Sequence, residues 1–238
     1  MKRLLLKLKT LFRLLFGKIK EILGLDITNK GERIFIKYGT FNYENMDIYQ
    51  KAHYQRYLFA KQYINNEDIV GDMACGTGYG SLMLGEKAKR VIAVDINKKI
   101  IDKISKKYND FLNVKFLNQN LVFLHVNEGS LDKIVSFETL EHLDSKEIIK
   151  VLANFNHVLR TGGYLIFSTP FMQKSEDAVP MGFHKIFNIN EDVLRKWFSE
   201  AGFKIRDFFY QNYHDFTIEK EKDIKDFIIG AAEKVVDR

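Results

Sequence analysis

The chain has 238 residues, of which 46% are hydrophobic and 13% aromatic, and its formal net charge is +6. This length and composition allow one substantial core and exclude a disordered or low-complexity protein, and no repeat or Pro/Ser-rich linker divides the chain. The single cysteine, Cys75, excludes an internal disulfide and favours a reducing compartment.

The excess positive charge is concentrated in residues 1–25. This segment has seven Lys or Arg residues and one Glu, and the remainder of the chain has 30 basic and 30 acidic residues (37 less 7, and 31 less 1), which cancel. On a helical wheel, one face collects the apolar residues Leu4, Leu5, Leu8, Leu11, Phe12, Leu15, Phe16, Ile19, Ile22 and Leu23. The pattern predicts a basic amphipathic helix. Charges interrupt it too often for a signal peptide or a membrane span.

Such a helix suits an anionic membrane surface, because its leucines can enter the acyl boundary while its lysines meet the headgroups. The alternative is that the apolar face packs on the body of the protein or on a second subunit. A nucleic-acid partner is not expected, because the rest of the chain has no net positive charge. We therefore expect a cytoplasmic protein that is peripheral on the inner face of the membrane. The oligomeric state stays open.

Beyond this segment, apolar runs and amphipathic stretches alternate, which indicates an α/β fold with a doubly wound sheet. Strands are predicted near 69–72, 91–95, 114–117, 134–137, 163–168, 203–210 and 227–232. Helices are predicted near 48–63, 79–88, 98–108, 145–157 and 190–201. We expect residues 26–66 to form a helical cap over a ligand site and residues 67–238 to form the sheet domain.

A glycine-rich loop follows the first predicted strand, with Gly76, Gly78 and Gly80 at alternate positions. Glycines let a backbone turn sharply and approach a ligand, and Asp95, which ends the next strand, can accept both ribose hydroxyls of an adenosine. The spacing departs from the dinucleotide pattern G-x-G-x-x-G, and Asp72 ahead of the loop would repel a pyrophosphate. Asp72 instead suits a ligand that carries an ammonium group.

This acidic-x-small-x-Gly-x-Gly pattern resembles motif I of the class I S-adenosylmethionine-dependent methyltransferases. Segments 114–121, 131–143 and 159–170 resemble later motifs of that family in the same order. The resemblance implies a Rossmann-like seven-stranded sheet with helices on both faces, a final antiparallel strand, and S-adenosyl-L-methionine as the cofactor. It implies cofactor contacts at Asp72, Ala74, Gly76, Thr77, Gly78, Asp95, Ile96, Asn120, Leu121 and Phe137.

Asn120 stands where the family usually has an acidic residue that binds the adenine amino group. An amide can accept from that amino group and donate to the neighbouring ring nitrogen. Upstream, residues 53–60 are similar to a helix that precedes motif I in one branch of the family. There Arg56 would suit the methionine carboxylate and Tyr57 the pocket wall. A solvated arginine on an amphipathic helix is the alternative.

Methyl transfer to a hydroxyl needs a group that removes a proton, and two histidines are candidates. His142 follows the fourth predicted strand and His184 follows a predicted substrate loop, although either could be a structural residue. Glu138, Glu141 and His142 are similar to the magnesium-binding segment of ubiquinone-type O-methyltransferases. Many relatives carry a Glu-His pair here without a metal, and we expect no metal ligands.

The motifs together look like a branch associated with glycan and surface-polysaccharide modification. With the predicted membrane-seeking helix, they indicate O-methylation of a small-molecule or lipid-linked saccharide at the cytoplasmic membrane face. A quinone precursor is the alternative substrate. Alternatives of another class are an NAD-binding oxidoreductase and a catalytically silent adaptor that binds the cofactor.

Overall fold

The structure is a computed structural model, and it describes residues 34–36, 38–39, 42–178 and 184–235. The helix predicted for residues 1–25 lies outside the described residues. The proposed division into 1–25, 26–66 and 67–238 stays a prediction. Among the described helices, none combines the length and the apolar character needed to cross a membrane.

The described residues form a mixed sheet of seven strands in the order β3-β2-β1-β4-β5-β7-β6. The strands are β1 (Ile69–Met73), β2 (Arg90–Asp95), β3 (Val114–Asn118), β4 (Leu131–Phe137), β5 (Leu159–Pro170), β6 (Phe203–Gln211) and β7 (Phe227–Lys234). Neighbouring strands from β3 to β5 are parallel, and β7 runs antiparallel to both β5 and β6. The predicted architecture, including the antiparallel last strand, is confirmed.

The helices are α1 (Ile48–Lys61), α2 (Tyr79–Gly85), α3 (Lys98–Lys107), α4 (Ser145–Val158), the short α5 (Ser175–Ala178) and α6 (Glu191–Glu200). Asp47 and Asp144 begin α1 and α4 with capping boxes completed by Gln50 and Glu147. Buried residues of α1, α2 and α3 share one apolar cluster, and those of α4 and α6 share another. The consecutive β4 residues Ile134 and Val135 belong to different clusters, so helices cover both faces of the sheet.

The largest difference from the predicted strand boundaries is at the start of β5. The sequence places the start of β5 at the glycines near position 163, whereas the strand begins at Leu159, which already pairs with Leu131. The register then shifts before Lys133 pairs with Tyr164. Gly162, at φ +72°, lies in the intervening backbone. The glycines therefore lie within an irregular part of the strand instead of ahead of it.

The topology brings several of the predicted site residues to one edge of the sheet. Asp72 lies near the end of β1, Asp95 ends β2, and Phe137 ends β4. Because β2, β1 and β4 are parallel neighbours, their carboxyl ends lie side by side, which is where open α/β sheets bind ligands.

Candidate active site

The loop between β1 and α2 has an unusual backbone. Ala74, Gly76 and Gly78 all have positive φ, at 68°, 54° and 78°. Among the described residues, no heavy atom would lie within 4 Å of a Cβ on Gly76, whereas a Cβ on Gly78 would lie 2.8 Å from the Phe116 ring. The loop is thus packed at Gly78 and open at Gly76, so a ligand can approach the backbone at Gly76.

Asp95 is held against this loop. Its Oδ2 accepts from the Gly76 N–H at 3.0 Å and its Oδ1 accepts from the Asn97 N–H at 2.8 Å. A carboxylate can accept several hydrogen bonds, and the contact of Asp95 with two ribose hydroxyls stays a prediction. The side chain of Ile96, directly after it, is 64% exposed and offers an apolar surface at the edge of the site.

Asp72 is buried under the loop. It accepts from the Tyr57 hydroxyl at 3.2 Å and from the Ser81 hydroxyl at 2.6 Å. Burial raises the pKa of Asp72 to about 7, against the opposing effect of these two hydrogen bonds. A cation bound beside Asp72 would favour its ionised form, so the carboxyl group fits the ammonium of a bound amino acid moiety.

Tyr57 and Phe137 form an aromatic wall next to Asp72. Their ring centroids are 5.2 Å apart with an edge-on geometry. A Cβ on Gly80 would lie 2.0 Å from the Tyr57 ring, so the ring occupies the space that this glycine leaves. The predicted place of Tyr57 in the wall agrees with this packing, while its contact with the cofactor stays a prediction.

Arg56 is fully buried, so the alternative of a solvated arginine is wrong. Its Nε donates to Gln211 Oε1 at 2.8 Å, its Nη1 lies 3.2 Å from Glu138 Oε1, and its guanidinium lies 3.9 Å from the centre of the Phe227 ring. These partners belong to β6, β7 and the segment after β4. Arg56 is therefore positioned on the β4 side of the site. Its contact with a methionine carboxylate stays a prediction.

Asn120 begins the short 3-10 turn Leu121–Phe123. Its side-chain oxygen accepts from the Val122 N–H at 2.9 Å, and a carbonyl oxygen has a second lone pair for an adenine amino group. The Asn154 side chain donates to the Leu121 carbonyl at 2.8 Å and fixes the turn. The adenine contacts of Asn120 and Leu121 remain predictions.

Thr77 and Cys75 are loop residues whose side chains are buried against other parts of the protein. The Thr77 hydroxyl donates to the Ile34 carbonyl at 2.7 Å, so Thr77 is left to contact a cofactor through its backbone. Cys75 is buried, and burial raises the pKa of its thiol well above the usual value. Cys75 is therefore not a nucleophile at neutral pH.

The two predicted catalytic histidines lie together. The rings of His142 and His184 are 5.0 Å apart at an interplanar angle of 81°. Nδ1 of His184 lies 2.5 Å from Gln173 Oε1, and the Lys185 N–H donates to the Glu141 carbonyl at 2.7 Å. The segment that carries His184 is thus attached to the turn that carries His142.

Glu141 is the buried member of the group that it forms with His142 and His184. Its Oε2 accepts from the Thr169 hydroxyl at 3.1 Å, while Oε1 has no hydrogen bond within the described part of the chain. Burial and, to a smaller extent, the neighbouring Glu138 carboxylate raise the pKa of Glu141 to about 8, against the opposing effect of the two histidines.

Sequence reasoning missed several partners in this site. Ser81 lies nine positions after Asp72, on the first turn of α2, and that spacing could have suggested the contact. Gln211, Thr169 and Gln173 approach from β6, β5 and the segment after β5, and no local pattern predicts them.

Comparison with known proteins agrees with this geometry. Residues 70–163 match the family model described as a methyltransferase domain. A probable S-adenosylmethionine-dependent methyltransferase of Mycobacterium tuberculosis is 31% identical over 138 residues, which are 56% of this chain and 48% of that protein. The chain spans about half the length of the first curated relatives it matches.

Solved structures share the fold at low identity. An S-adenosylmethionine-dependent methyltransferase from Mesorhizobium loti has a TM-score of 0.64 at 17% identity, over 81% of this chain and 100% of that one. The [4+2]-cyclase SpnF has a TM-score of 0.67 at 14% identity, over 93% of this chain and 96% of that one. At these identities the likeness establishes the fold, and the reaction has to be argued from the site.

Proposed function

We propose that this chain, which belongs to the class I S-adenosylmethionine-dependent methyltransferases, moves the methyl group of that cofactor to a hydroxyl oxygen of a sugar or lipid-linked glycan. One observation carries the proposal. Asp95, the loop at Gly76 and Asp72 lie on β2 and β1, and the ionisable group around His142 lies beyond β4 and β5 on the same edge. A cofactor half and an acceptor half are therefore adjacent.

The cofactor half has to bind S-adenosylmethionine and to orient its methyl group. Asp95 would accept the ribose hydroxyls, Gly76 gives the open approach to the backbone, and Asp72 would pair with the ammonium. S-adenosylmethionine supplies a methyl group already activated by its sulfonium. The remaining task of the protein is to align an acceptor oxygen with the methyl–sulfur bond.

The acceptor half supplies a place for the hydroxyl proton. If Nδ1 of His184 donates to Gln173, its Nε2 is the basic nitrogen, and we propose that this nitrogen accepts the hydroxyl proton. The His142 ring lies against the His184 ring, so His142 is a second candidate for the proton acceptor. Arg56, paired with Glu138, fixes the β4 side of the same half.

The parts of the proposal that concern a saccharide acceptor and a membrane surface are argued from the sequence. A basic amphipathic segment at residues 1–25 would hold the chain at an anionic membrane face, where lipid-linked acceptors lie. A quinone precursor would reach the same place, so it is the substrate to test in parallel. The matched methyltransferase domain and the loop spacing oppose an NAD-binding oxidoreductase.

The first test is calorimetric titration of the purified protein with S-adenosylmethionine and, in the same series, with NADH. We expect micromolar binding of the former alone. Asp95→Ala removes a charge-assisted hydrogen-bond acceptor, so it should weaken the affinity by roughly 10- to 100-fold. Binding of NADH alone would overturn the proposal, and an unchanged affinity in Asp95→Ala would remove this residue from the cofactor site.

The second test measures transfer of labelled methyl from S-adenosylmethionine to lipid extracts that contain glycan or quinone precursors. We expect label in the glycan fraction. His184→Ala should keep the cofactor affinity and slow the transfer by roughly 100-fold or more. His157→Ala, at an exposed histidine near the end of α4, is the matched control. Label confined to quinone precursors would replace the substrate, and cofactor binding without any transfer would favour an adaptor.

A further inference from the structure

The geometry points to a binding site for a divalent transition-metal ion formed by Glu141, His142 and His184. Each residue offers one ligand atom, and these three atoms all lie within 4.8 Å of one another. Two imidazole nitrogens and one carboxylate oxygen favour a first-row transition ion such as Mn²⁺, Fe²⁺, Co²⁺ or Zn²⁺. An ion that prefers only oxygen ligands would find two of the three donors unsuitable.

Glu141 supplies a second, independent observation. The residue is 1% exposed, and its Oε1 has no hydrogen bond within the described residues. Buried carboxylate oxygens are costly unless a donor or a cation satisfies them. A metal ion held by the two histidines would satisfy this oxygen and neutralise its charge.

The ligand set differs from the Glu138, Glu141 and His142 group that the sequence suggests. Glu138 accepts from the Ser168 hydroxyl at 2.7 Å and faces Arg56 Nη1 at 3.2 Å, so its carboxylate is already engaged. His184, from the segment after β5, is the third ligand in place of Glu138. The resemblance to magnesium-binding relatives therefore does not describe this site.

The three ligands are also oriented by neighbours. The Thr169 hydroxyl holds Glu141 Oε2 at 3.1 Å, and Gln173 Oε1 lies 2.5 Å from His184 Nδ1. A hydrogen bond from Nδ1–H to Gln173 would set the tautomer in which Nε2 carries the lone pair that a metal ion binds, as is usual for metal-binding histidines. The Lys185 and Ile186 N–H groups both donate to the Glu141 carbonyl, at 2.7 and 3.3 Å, and hold the two segments together.

Metal binding requires only a small closure. Ligand atoms about 2.1 Å from one ion are about 3 to 3.5 Å apart, so the three side chains would move together by about 1 Å. Three protein ligands leave further coordination positions for water or an acceptor oxygen. The site is thus of the open type that binds a substrate.

The role of the ion rests on the proposed function, whereas its binding does not. An acceptor hydroxyl bound to the ion loses its proton to water, and its oxygen then forms a bond with the methyl carbon. The carbon–sulfur bond breaks, and its electron pair stays on sulfur as a neutral thioether. His142 and His184 then act as ligands, and the ion makes the acceptor acidic in place of a histidine base.

The test uses the full chain, freed of metal by a chelator and titrated with Mn²⁺, Zn²⁺ and Co²⁺ by calorimetry. We expect one ion per chain, and visible absorption bands on Co²⁺ binding from a nitrogen- and oxygen-ligated centre. Glu141→Gln and His184→Gln should each weaken binding by at least 10-fold. Gln173→Leu removes an orienting partner and should weaken it by roughly 10-fold.

His125→Gln, at an exposed histidine outside the site, is the matched control and should bind as the parent protein does. S-adenosylmethionine affinity is measured for every variant, because it reports folding through residues outside the metal group. Retained cofactor affinity with lost metal binding supports the inference.

Absence of Co²⁺ bands and of titration heat in the parent protein would overturn the inference, as would equal metal affinity in Glu141→Gln and the parent. If methyl transfer then proceeds in the presence of a chelator, the proposed function stands and the metal site alone is lost. If neither cofactor nor metal binds, the proposed function fails as well.

Discussion

Gly76 and Gly80 in the loop after β1 lack a side chain for different reasons. A Cβ on Gly80 would overlap the Tyr57 ring at 2.0 Å, whereas a Cβ on Gly76 would meet open space. Gly76 has a left-handed φ of 54°. We therefore propose that the absence of a side chain serves ligand approach at Gly76, whereas it serves internal packing at Gly80, and substitution by alanine separates the two roles.

We expect Gly80→Ala to displace Tyr57 and disturb its hydrogen bond to Asp72, with a loss of about 1 to 3 kcal/mol in the free energy of unfolding. Gly76→Ala should cost about 1 to 2 kcal/mol, because an L-residue is strained there. Its methyl group would also fill the open space and reduce cofactor affinity. Urea unfolding and calorimetric titration measure both quantities. Equal losses of affinity at equal stability would contradict the separation.

Asp72 gives a pH dependence whose sign follows from its burial. Burial raises its pKa from 3.8 to about 7, so below that pH the ligand-free protein holds a proton there. Pairing with a ligand ammonium favours the ionised carboxylate and therefore releases the proton. Affinity for the cofactor should rise with pH up to about 7 and then level off, by up to roughly tenfold per pH unit.

Asp72→Asn should weaken binding and remove this contribution to the slope. Titration of the ligand itself appears equally in both proteins, so the difference between them isolates Asp72. Calorimetry at pH 6, 7 and 8 gives the affinities, and buffers of different ionisation enthalpy count the protons released. Identical slopes in the two proteins would show that Asp72 does not face the ammonium.

At the scale of elements, periodicity and the loop motif predict the sheet well. Each strand and each helix of eight or more residues lies close to its predicted position, because alternating buried segments need only local sequence to be recognised. The positions of Asp72 and Asp95 could be predicted for a similar reason, since parallel strands bring successive carboxyl ends to one edge of the sheet.

Contacts between distant elements could not be predicted in the same way. Arg56 on α1 reaches Gln211 on β6, and His184, in the segment after β5, lies against His142. No periodic pattern carries such pairings. The burial of Arg56, which overturns its reading as a solvated side chain, is a consequence of these tertiary contacts.

Arg56 is the main polar link between α1 and the sheet, so its removal tests how α1 is held. Arg56→Met leaves the Glu138 carboxylate without its cation and Gln211 Oε1 without its donor, and we expect a loss of about 3 to 5 kcal/mol in the free energy of unfolding. Glu138→Gln in the same chain should recover part of the loss, because it removes the unpaired charge. Urea unfolding of the parent protein, the two single variants and the double variant gives the coupling energy between the two residues. Additive losses would contradict an ion pair.

At the scale of the whole molecule, charge is distributed unevenly. Residues 1–25 carry seven basic residues and one acidic residue, while the other 30 basic and 30 acidic residues balance (37 less 7, and 31 less 1). Attraction to anionic lipid would therefore come from this segment, at about 1 kcal/mol for each Lys or Arg near the surface. A body without net charge adds little to it.

We expect the full chain to co-sediment with anionic vesicles and to be released by salt, because surface attraction is screened. Replacing Lys2, Lys9, Arg13 and Lys20 by Gln removes four charges from the polar face and should weaken binding by up to roughly 1,000-fold. The apolar face is left intact in this variant, so its cofactor affinity and stability should equal those of the parent.

Deletion of residues 1–25 is the complementary change, because it removes the apolar face as well. If that face enters lipid, the shortened chain should stay monodisperse, bind the cofactor normally and lose all vesicle binding. If it packs on the body or on a second subunit, the deletion should expose apolar surface, lower the free energy of unfolding and cause aggregation. Vesicle co-sedimentation, urea unfolding and light scattering on the same preparation separate these outcomes.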